Sequence, residues 1–163
     1  MLADTLKTAI ITAIGQDPTS YDGGSALTAH TALASALTTY LSAHVKANIS
    51  GVVGNVPTTD LCSINFFGGI SVPTDFTDFN DSIKSIVGSA TLTNGATVVA
   101  TLPSAILTVG FDIPQAFTTF NDAWSVIGSY IETWMTSHPS PTPFSGSVGG
   151  ASGTFNITSI VII

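Results

Sequence analysis

Apolar residues recur every three or four positions in four stretches of the chain, which is the period of an amphipathic helix. The first two stretches predict a helix from Leu2 to Ile14 and a longer, alanine-rich helix from Ser25 to about Asn48, with a loop over 16–24 between them. The other two follow prolines and predict helices from Pro73 to about Gly88 and from Pro114 to about Ser137, since proline fits the first helical turn.

Short β-prone runs separate these helices. Two of them flank Asn94-Gly95, the pair that best favours a tight turn, and predict a β-hairpin over residues 90–102. The same reasoning predicts further strands, and the glycine-, serine- and proline-rich segments predict connections. The predicted strands are Leu61–Val72, Ala105–Gly110 and Thr154–Ile163; the predicted connections are a turn-bearing segment over 51–60, a stiff extended one over 138–143 and a flexible one over 145–153.

One segment occurs twice. Residues Gly69 to Asp81 are echoed by Gly110 to Asp122 at a constant offset of 41, with the Gly, Pro, both Phe, Thr, Asn and Asp identical. Such agreement reflects either duplication of a supersecondary unit or a shared structural need. In both copies the aromatic residues that follow the proline lie on one helical face, which predicts a hydrophobic core rather than a ligand-binding aromatic cluster.

These elements together predict an α+β fold. We expect N-terminal helices, then a mixed region that contains two similar strand-Pro-helix units, a β-hairpin and a C-terminal strand. The chain of 163 residues is long enough for a substantial core and is expected to form a single domain, 1–163. Possible sub-lobes are 1–55, helical, and 56–163, α+β, with the repeats at 69–88 and 110–129.

Charge changes the picture of the surface. Only 8% of residues are charged, and three lysines against ten acids give a net charge of −7. With Lys7, Lys46 and Lys84 far apart and no arginine, direct nucleic-acid binding is excluded, because such binding needs clustered cations, and anionic membranes are disfavoured by the same sign. A surface so poor in charge lacks the usual protection against association, which predicts packing against copies of the chain or other proteins.

Side chains suited to catalysis are scattered. Neither a catalytic nor a nucleotide-binding motif occurs, so we expect no enzyme activity, cofactor, metal site or small-molecule substrate. Cys62 is expected to be a small buried hydrophobe, and the three histidines, His30, His44 and His138, to be solvent-facing or hydrogen-bonded in the core. Asp75, Asp78 and Asp81 are interpreted as acids near a helix N-terminus rather than calcium ligands.

The carboxyl end of the sequence is wholly apolar. A strand that ends in Ile160-Val161-Ile162-Ile163 is an aggregation hazard unless it is covered. It either completes the sheet of its own chain or adds to a neighbour's sheet. The residues predicted to form an oligomer interface in the second case are Phe155, Ile157, Ile160, Val161, Ile162 and Ile163.

Three segments, Leu2–Ile11, Ala34–Leu41 and Val45–Val52, resemble small virion structural proteins of tailed bacteriophages, over about the first 55 residues. The resemblance implies a non-enzymatic assembly subunit of the head, neck, tail or baseplate, made in the host cytoplasm and built into the virion. Its partners would be itself, as a homo-oligomer, and other virion proteins. The alternative is a surface adhesin or carbohydrate-binding module, and a third reading is an enzyme site assembled from scattered Asp, His and Ser side chains.

Overall fold

The computed structural model describes residues 8, 26–70, 76–95, 97–115, 120–137 and 143–163. Among them are four helices and six strands, numbered here in chain order. The helices are α1 (Ala26–His44), α2 (Phe76–Gly88), α3 (Ser104–Thr108) and α4 (Phe120–Thr136). The strands are β1 (Val45–Val53), β2 (Val56–Phe66), β3 (Ala90–Asn94), β4 (Thr97–Leu102), β5 (Phe144–Val148) and β6 (Ala151–Ile162). The α+β character predicted from the sequence is confirmed.

The strands form one antiparallel sheet in the order β4-β3-β2-β1-β6-β5. The sheet curls into a nearly closed barrel, so its two outer strands, β4 and β5, come together. At this seam a Cβ atom on Gly146 would lie 2.8 Å from the carbonyl oxygen of Val99. Only a glycine lets the two backbones approach this closely.

One hydrophobic cluster connects the sheet with the helices. In β1, β3 and the second half of β2 the buried residues alternate with exposed or half-buried ones, so one face of the sheet points into the core. The helices α1 and α4 contact β2 and β6, respectively. The largest fully buried side chains of the cluster are Phe111, Phe155, Leu37, Ile49, Ile64, Ile83, Ile86, Leu92, Ile106, Leu107 and Ile113.

The second predicted helix ends earlier than expected. Helix α1 stops at His44 and the chain passes directly into β1, where Val45, Ala47 and Ile49 are buried at alternate positions. Apolar residues spaced four apart from Leu33 to Val45 predict a helix that continues past His44. From Val45 onward, however, apolar and polar residues alternate, and this part of the chain forms a strand. The sub-lobe expected to be helical over 1–55 therefore includes a central strand of the sheet.

Three hairpins organise the sheet, and one of them was predicted. The hairpin between β3 and β4 is confirmed; Asn94 is the last residue of β3 and pairs with Thr97, and Gly95 lies in the turn with positive φ. The expected connection over 51–60 is wrong, because Gly54 and Asn55, both with positive φ, join β1 to β2 in a two-residue turn. The flexible connection over 145–153 is also wrong, since Gly149-Gly150 closes the β5–β6 hairpin.

Two further predictions need correction. The strand predicted over 105–110 is helix α3, in which Ile106 and Leu107 are both buried and Thr108 Oγ1 donates to the Ser104 carbonyl oxygen at 2.7 Å. Adjacent residues of a strand point to opposite faces, whereas adjacent residues of a helical turn can both face the core. The strand predicted over 61–72 belongs to β2, which begins earlier and ends at Phe66.

The two repeated segments are not equivalent in structure. Unit 69–88 follows a strand, whereas unit 110–129 follows helix α3, so the second strand-Pro-helix unit is wrong. Pro114 is not part of a helix. The preceding residue, Ile113, is buried, and the Ile113 amide donates to Asn80 Oδ1 at 3.1 Å, which holds this segment in a non-helical conformation. The helices do share one core position, where Ile86 and Ile127 are both buried.

Other predictions fall on residues that are not described. They are the Leu2–Ile14 helix apart from Thr8, the loop over 16–24, the helix start at Pro73 and most of the connector over 138–143.

Candidate functional site

The predicted interface residues lie on β6, which is placed between β1 and β5 of its own chain. Phe155, Ile157 and Ile160 are buried in the core. Val161 and Ile162 are half-buried, and Ile163 is 67% exposed. Half of this predicted set is therefore buried in the fold of the chain, Ile162 packs against the core, and only Ile163, which follows the last residue of β6, is exposed.

The sheet has a second side, which points away from the core. We call this side the outer face and define it by the exposed or half-buried residues that alternate with core residues along the strands. Its members are mostly short, uncharged and polar. They are Lys46, Asn48, Ser50, Val52, Thr59, Leu61, Ser63, Asn65, Thr91, Thr93, Thr101, Thr154, Asn156, Ser159 and Val161.

Polar groups of the outer face bond to one another across the strands. The three cross-strand side-chain bonds run from Asn48 Nδ2 to Ser159 Oγ (2.9 Å), from Asn65 Nδ2 to Thr93 Oγ1 (2.9 Å) and from Lys46 Nζ to Ser63 Oγ (3.1 Å). Polar groups that are already paired in this way cost less free energy to remove from water than unpaired polar groups do. The face is therefore less costly to cover than its polar composition suggests.

Aliphatic side chains are exposed on and beside the outer face. Val52 and Leu61, which belong to it, are 50% and 53% exposed, and Val56 at the nearby turn is 62% exposed. All three lie on the β1–β2 hairpin. They add apolar area, which favours association, to a surface of hydroxyl and amide groups.

In the described part of the chain, charged side chains are divided unevenly between the outer face and the rest of the surface. Lys46 is the only charged member of the outer face as defined above. The other charged residues in the described part of the chain lie on helices, on loops or at the β2 edge. They are Asp60, Asp78, Asp81, Lys84, Asp112, Asp122 and Glu132. The outer face is thus nearly neutral in a chain whose net charge is −7.

Groups with catalytic potential are not assembled into a site in the described residues. Burial raises the pKa of the Cys62 thiol to about 11, with a smaller contribution from nearby Asp60, so this cysteine is protonated at neutral pH and is buried as expected. The His44 ring packs against Tyr40 with the ring centroids 4.5 Å apart and the ring planes tilted by 42°, and its Nδ1 bonds to the Ile163 carbonyl oxygen. No group of three or more His, Cys, Asp or Glu in these residues is arranged to hold a metal ion.

Two open grooves lie on the described surface. One, of about 610 Å³, runs beside the barrel seam and is lined by Val99 and by small polar residues and glycines of β5 and β6. The other, of about 390 Å³, lies between α2 and α3 and contains Asp81 and Lys84. Neither groove is enclosed enough to surround a small ligand.

Three aromatic residues pack together beside α4. The rings of Tyr130 and Trp134 are stacked at 6.3 Å, and Phe111 meets both edge-on. Trp134 Nε1 donates to the Leu107 carbonyl oxygen at 3.3 Å, and Tyr130 Oη accepts from the Asp112 amide at 3.0 Å. The Trp134 bond therefore ties α4 to α3, and the Tyr130 bond ties α4 to the segment between α3 and α4.

Asn80 is the only polar residue in the described part of the chain that is buried. Its amide donates to Asp112 Oδ1 at 2.6 Å, and its carbonyl oxygen accepts from the Ile113 amide. The side chain thereby fixes the same segment to α2. Sequence reasoning missed this role.

The outer face was also missed from the sequence. Its signal is the alternation Lys46-Ala47-Asn48-Ile49-Ser50, in which polar residues separate buried ones, but this stretch was taken for the end of a helix.

Comparisons with family models, curated proteins and solved structures found no match. None of the helices in the described ranges is both long and apolar enough to span a bilayer.

Proposed function

We propose that this chain is a non-enzymatic, self-associating structural subunit of a bacteriophage virion, located in the head, neck, tail or baseplate. The observation that carries the proposal is the outer face of the sheet. It is broad, nearly neutral and built from short side chains that already bond to one another. A surface of this kind can be covered by protein at low desolvation cost.

The uneven division of charge supports association between copies. A net charge of −7 makes copies of the chain repel one another in most orientations. Two outer faces meet with only Lys46 carrying charge on each, so like-charge repulsion is smallest when the faces approach. Exposed Val52 and Leu61 contribute apolar area to the same contact.

The test is the mass of the purified chain in solution, together with a variant that charges the outer face. Ser50 and Asn156 lie opposite each other on β1 and β6, so Ser50→Glu with Asn156→Glu places two carboxylates near the middle of the face. We expect the wild type to form a defined oligomer and this variant to dissociate at least about tenfold more readily, since buried like charges cost several kcal/mol.

A matched control changes the net charge equally at a different place. Thr77→Glu with Ser129→Glu adds the same two charges at exposed positions of α2 and α4. This variant is expected to keep the wild-type mass. A wild type that stays monomeric at high micromolar concentration would contradict the proposal, and equal dissociation of both variants would show that net charge, not the outer face, controls association.

The adhesin or carbohydrate-binding alternative depends on exposed aromatic rings. Tyr130 and Trp134 are both half-buried, with Phe111 against them. Sugars bind to the open faces of aromatic rings, so this packing gives the alternative less support than the outer face gives to assembly. Trp134 fluorescence that shifts on addition of a polysaccharide would favour the alternative.

A further inference from the structure

Strand β2 is longer than its neighbour on one side. It pairs with β1 from Val56 to Ser63, but with β3 only through Ser63–Phe66. On the β3 side, residues 56–62 have no strand partner among the described elements. Pro57, Thr59 and Leu61 are exposed there, so this is a sheet edge of seven residues.

The backbone groups that face this open edge can be identified from one hydrogen bond. The Leu61 amide donates to Asp60 Oδ1 at 2.8 Å, so it does not take part in the β1 ladder. Backbone groups alternate in direction along a strand, and the amide of Thr59 and position 57 therefore face the same side. Pro57 has no N–H, so in the described part of the chain the Thr59 amide is the one donor of this edge that bonds neither to β1 nor to Asp60.

Asp60 occupies the edge with both carboxylate oxygens. Oδ1 accepts from the Leu61 amide, and Oδ2 accepts from Asn94 Nδ2 at the end of β3. The carboxylate thus bridges the unpaired part of β2 and the neighbouring hairpin. A strand that added here would have to displace this bridge and then cover a charged group, which is unfavourable.

Unpaired edges are where extended chains add to a sheet, and natural proteins block them with proline or with inward-turned charge. We propose that Asp60, assisted by Pro57, closes the 56–62 edge of β2 to strand addition by a second copy of the chain. Copies would then contact one another through surfaces other than this edge. The inference rests on the hydrogen bonds and register of β2 and stands or falls independently of the proposed function.

The test is removal of the carboxylate by Asp60→Ala, compared with Asp81→Ala as a charge-matched control on the exposed side of α2. Growth of species larger than those of the wild type is followed by light scattering. Hydrogen exchange of peptides that cover 56–62 shows whether the edge takes part. We expect Asp60→Ala to associate about tenfold faster than the wild type, a ratio that corresponds to the loss of about one charge-assisted hydrogen bond. We also expect the Thr59 and Leu61 amides to be protected from exchange in the associated product.

Asn94→Ala provides a second variant that leaves Asp60 in place and removes only one of its partners. It is expected to associate faster than the control but more slowly than Asp60→Ala, and circular dichroism checks that each variant is folded. Equal association of Asp60→Ala and Asp81→Ala would overturn the inference. Faster association without protection of 56–62 would overturn it as well, whether or not the wild type is itself an oligomer.

Discussion

Gly51 pairs with Phe155 between β1 and β6 and leaves no room for a Cβ atom, so Gly51→Ala is the most informative test of the sheet. An added Cβ atom would lie 2.3 Å from the Thr154 carbonyl oxygen and 2.5 Å from Cδ1 of Phe155. Phe155 is fully buried, and the Thr154 oxygen belongs to the backbone of β6, so neither atom can move without disturbing the barrel. The strands have to separate locally by about 1 Å to restore ordinary contact.

The energetic cost can be worked out from these contacts. Separation weakens about two ladder hydrogen bonds beside Gly51, at about 1 kcal/mol each. Displacement of Phe155 in a packed core adds about 1 to 3 kcal/mol. We therefore expect Gly51→Ala to lower the free energy of unfolding by about 3 to 5 kcal/mol, which for a chain of this size lowers Tm by roughly 10 °C.

The assay is urea and thermal unfolding followed by circular dichroism, at one fixed protein concentration because association shifts apparent stability. Gly69→Ala is the control, since no atom lies within 4 Å of the position that its Cβ would take. It is expected to change stability by less than about 0.5 kcal/mol. A Gly51→Ala variant as stable as Gly69→Ala would refute the close pairing of β1 with β6.

Two further predictions concern buried groups. Asn80→Ala leaves the Ile113 amide and Asp112 without their partner and is expected to lower the free energy of unfolding by about 2 kcal/mol in urea. Asn80→Asp is expected to be more destabilising, because it brings a second carboxylate beside Asp112. A loss below about 0.5 kcal/mol for Asn80→Ala would contradict this. Cys62, whose pKa is raised to about 11, is expected to react slowly with a thiol reagent at pH 8 until the chain is unfolded. The folded state holds this proton more tightly than the unfolded state does. The stabilising contribution of the thiol is therefore present below pH 9, and stability falls as the pH rises from about 9 to 11. Fast labelling of the folded chain would show that the thiol is accessible and would contradict the prediction.

Local signals predicted elements best where one residue pair decides the structure. Asn94-Gly95 predicted its hairpin because both residues tolerate positive φ. Gly54-Asn55 carries a similar signal but was overlooked beside Pro57 and a run of threonines. A strand is predicted over 105–110 in place of helix α3, because the five residues of this helix are too few to show a helical period.

Long-range packing explains the remaining differences. Glycine in 145–153 predicted flexibility, but Gly146 and Gly153 permit close approach to Val99 and Val52, which no local pattern reveals. The repeated segments at 69–88 and 110–129 diverge because Asn80 and Tyr130 fix the second unit in a non-helical conformation at Pro114. The outer face is likewise a property of six paired strands, and it becomes visible only when their register is known.

The central claim is that copies of this chain associate through the nearly neutral outer face of the sheet. Sedimentation equilibrium of the wild type, the Ser50→Glu/Asn156→Glu variant and the Thr77→Glu/Ser129→Glu control, at matched concentrations, tests it most directly. The account predicts one defined oligomer for the wild type and the control, and a shift to monomer for the variant on the outer face. A wild type that remains monomeric, or an outer-face variant with the same mass as the control, would contradict it.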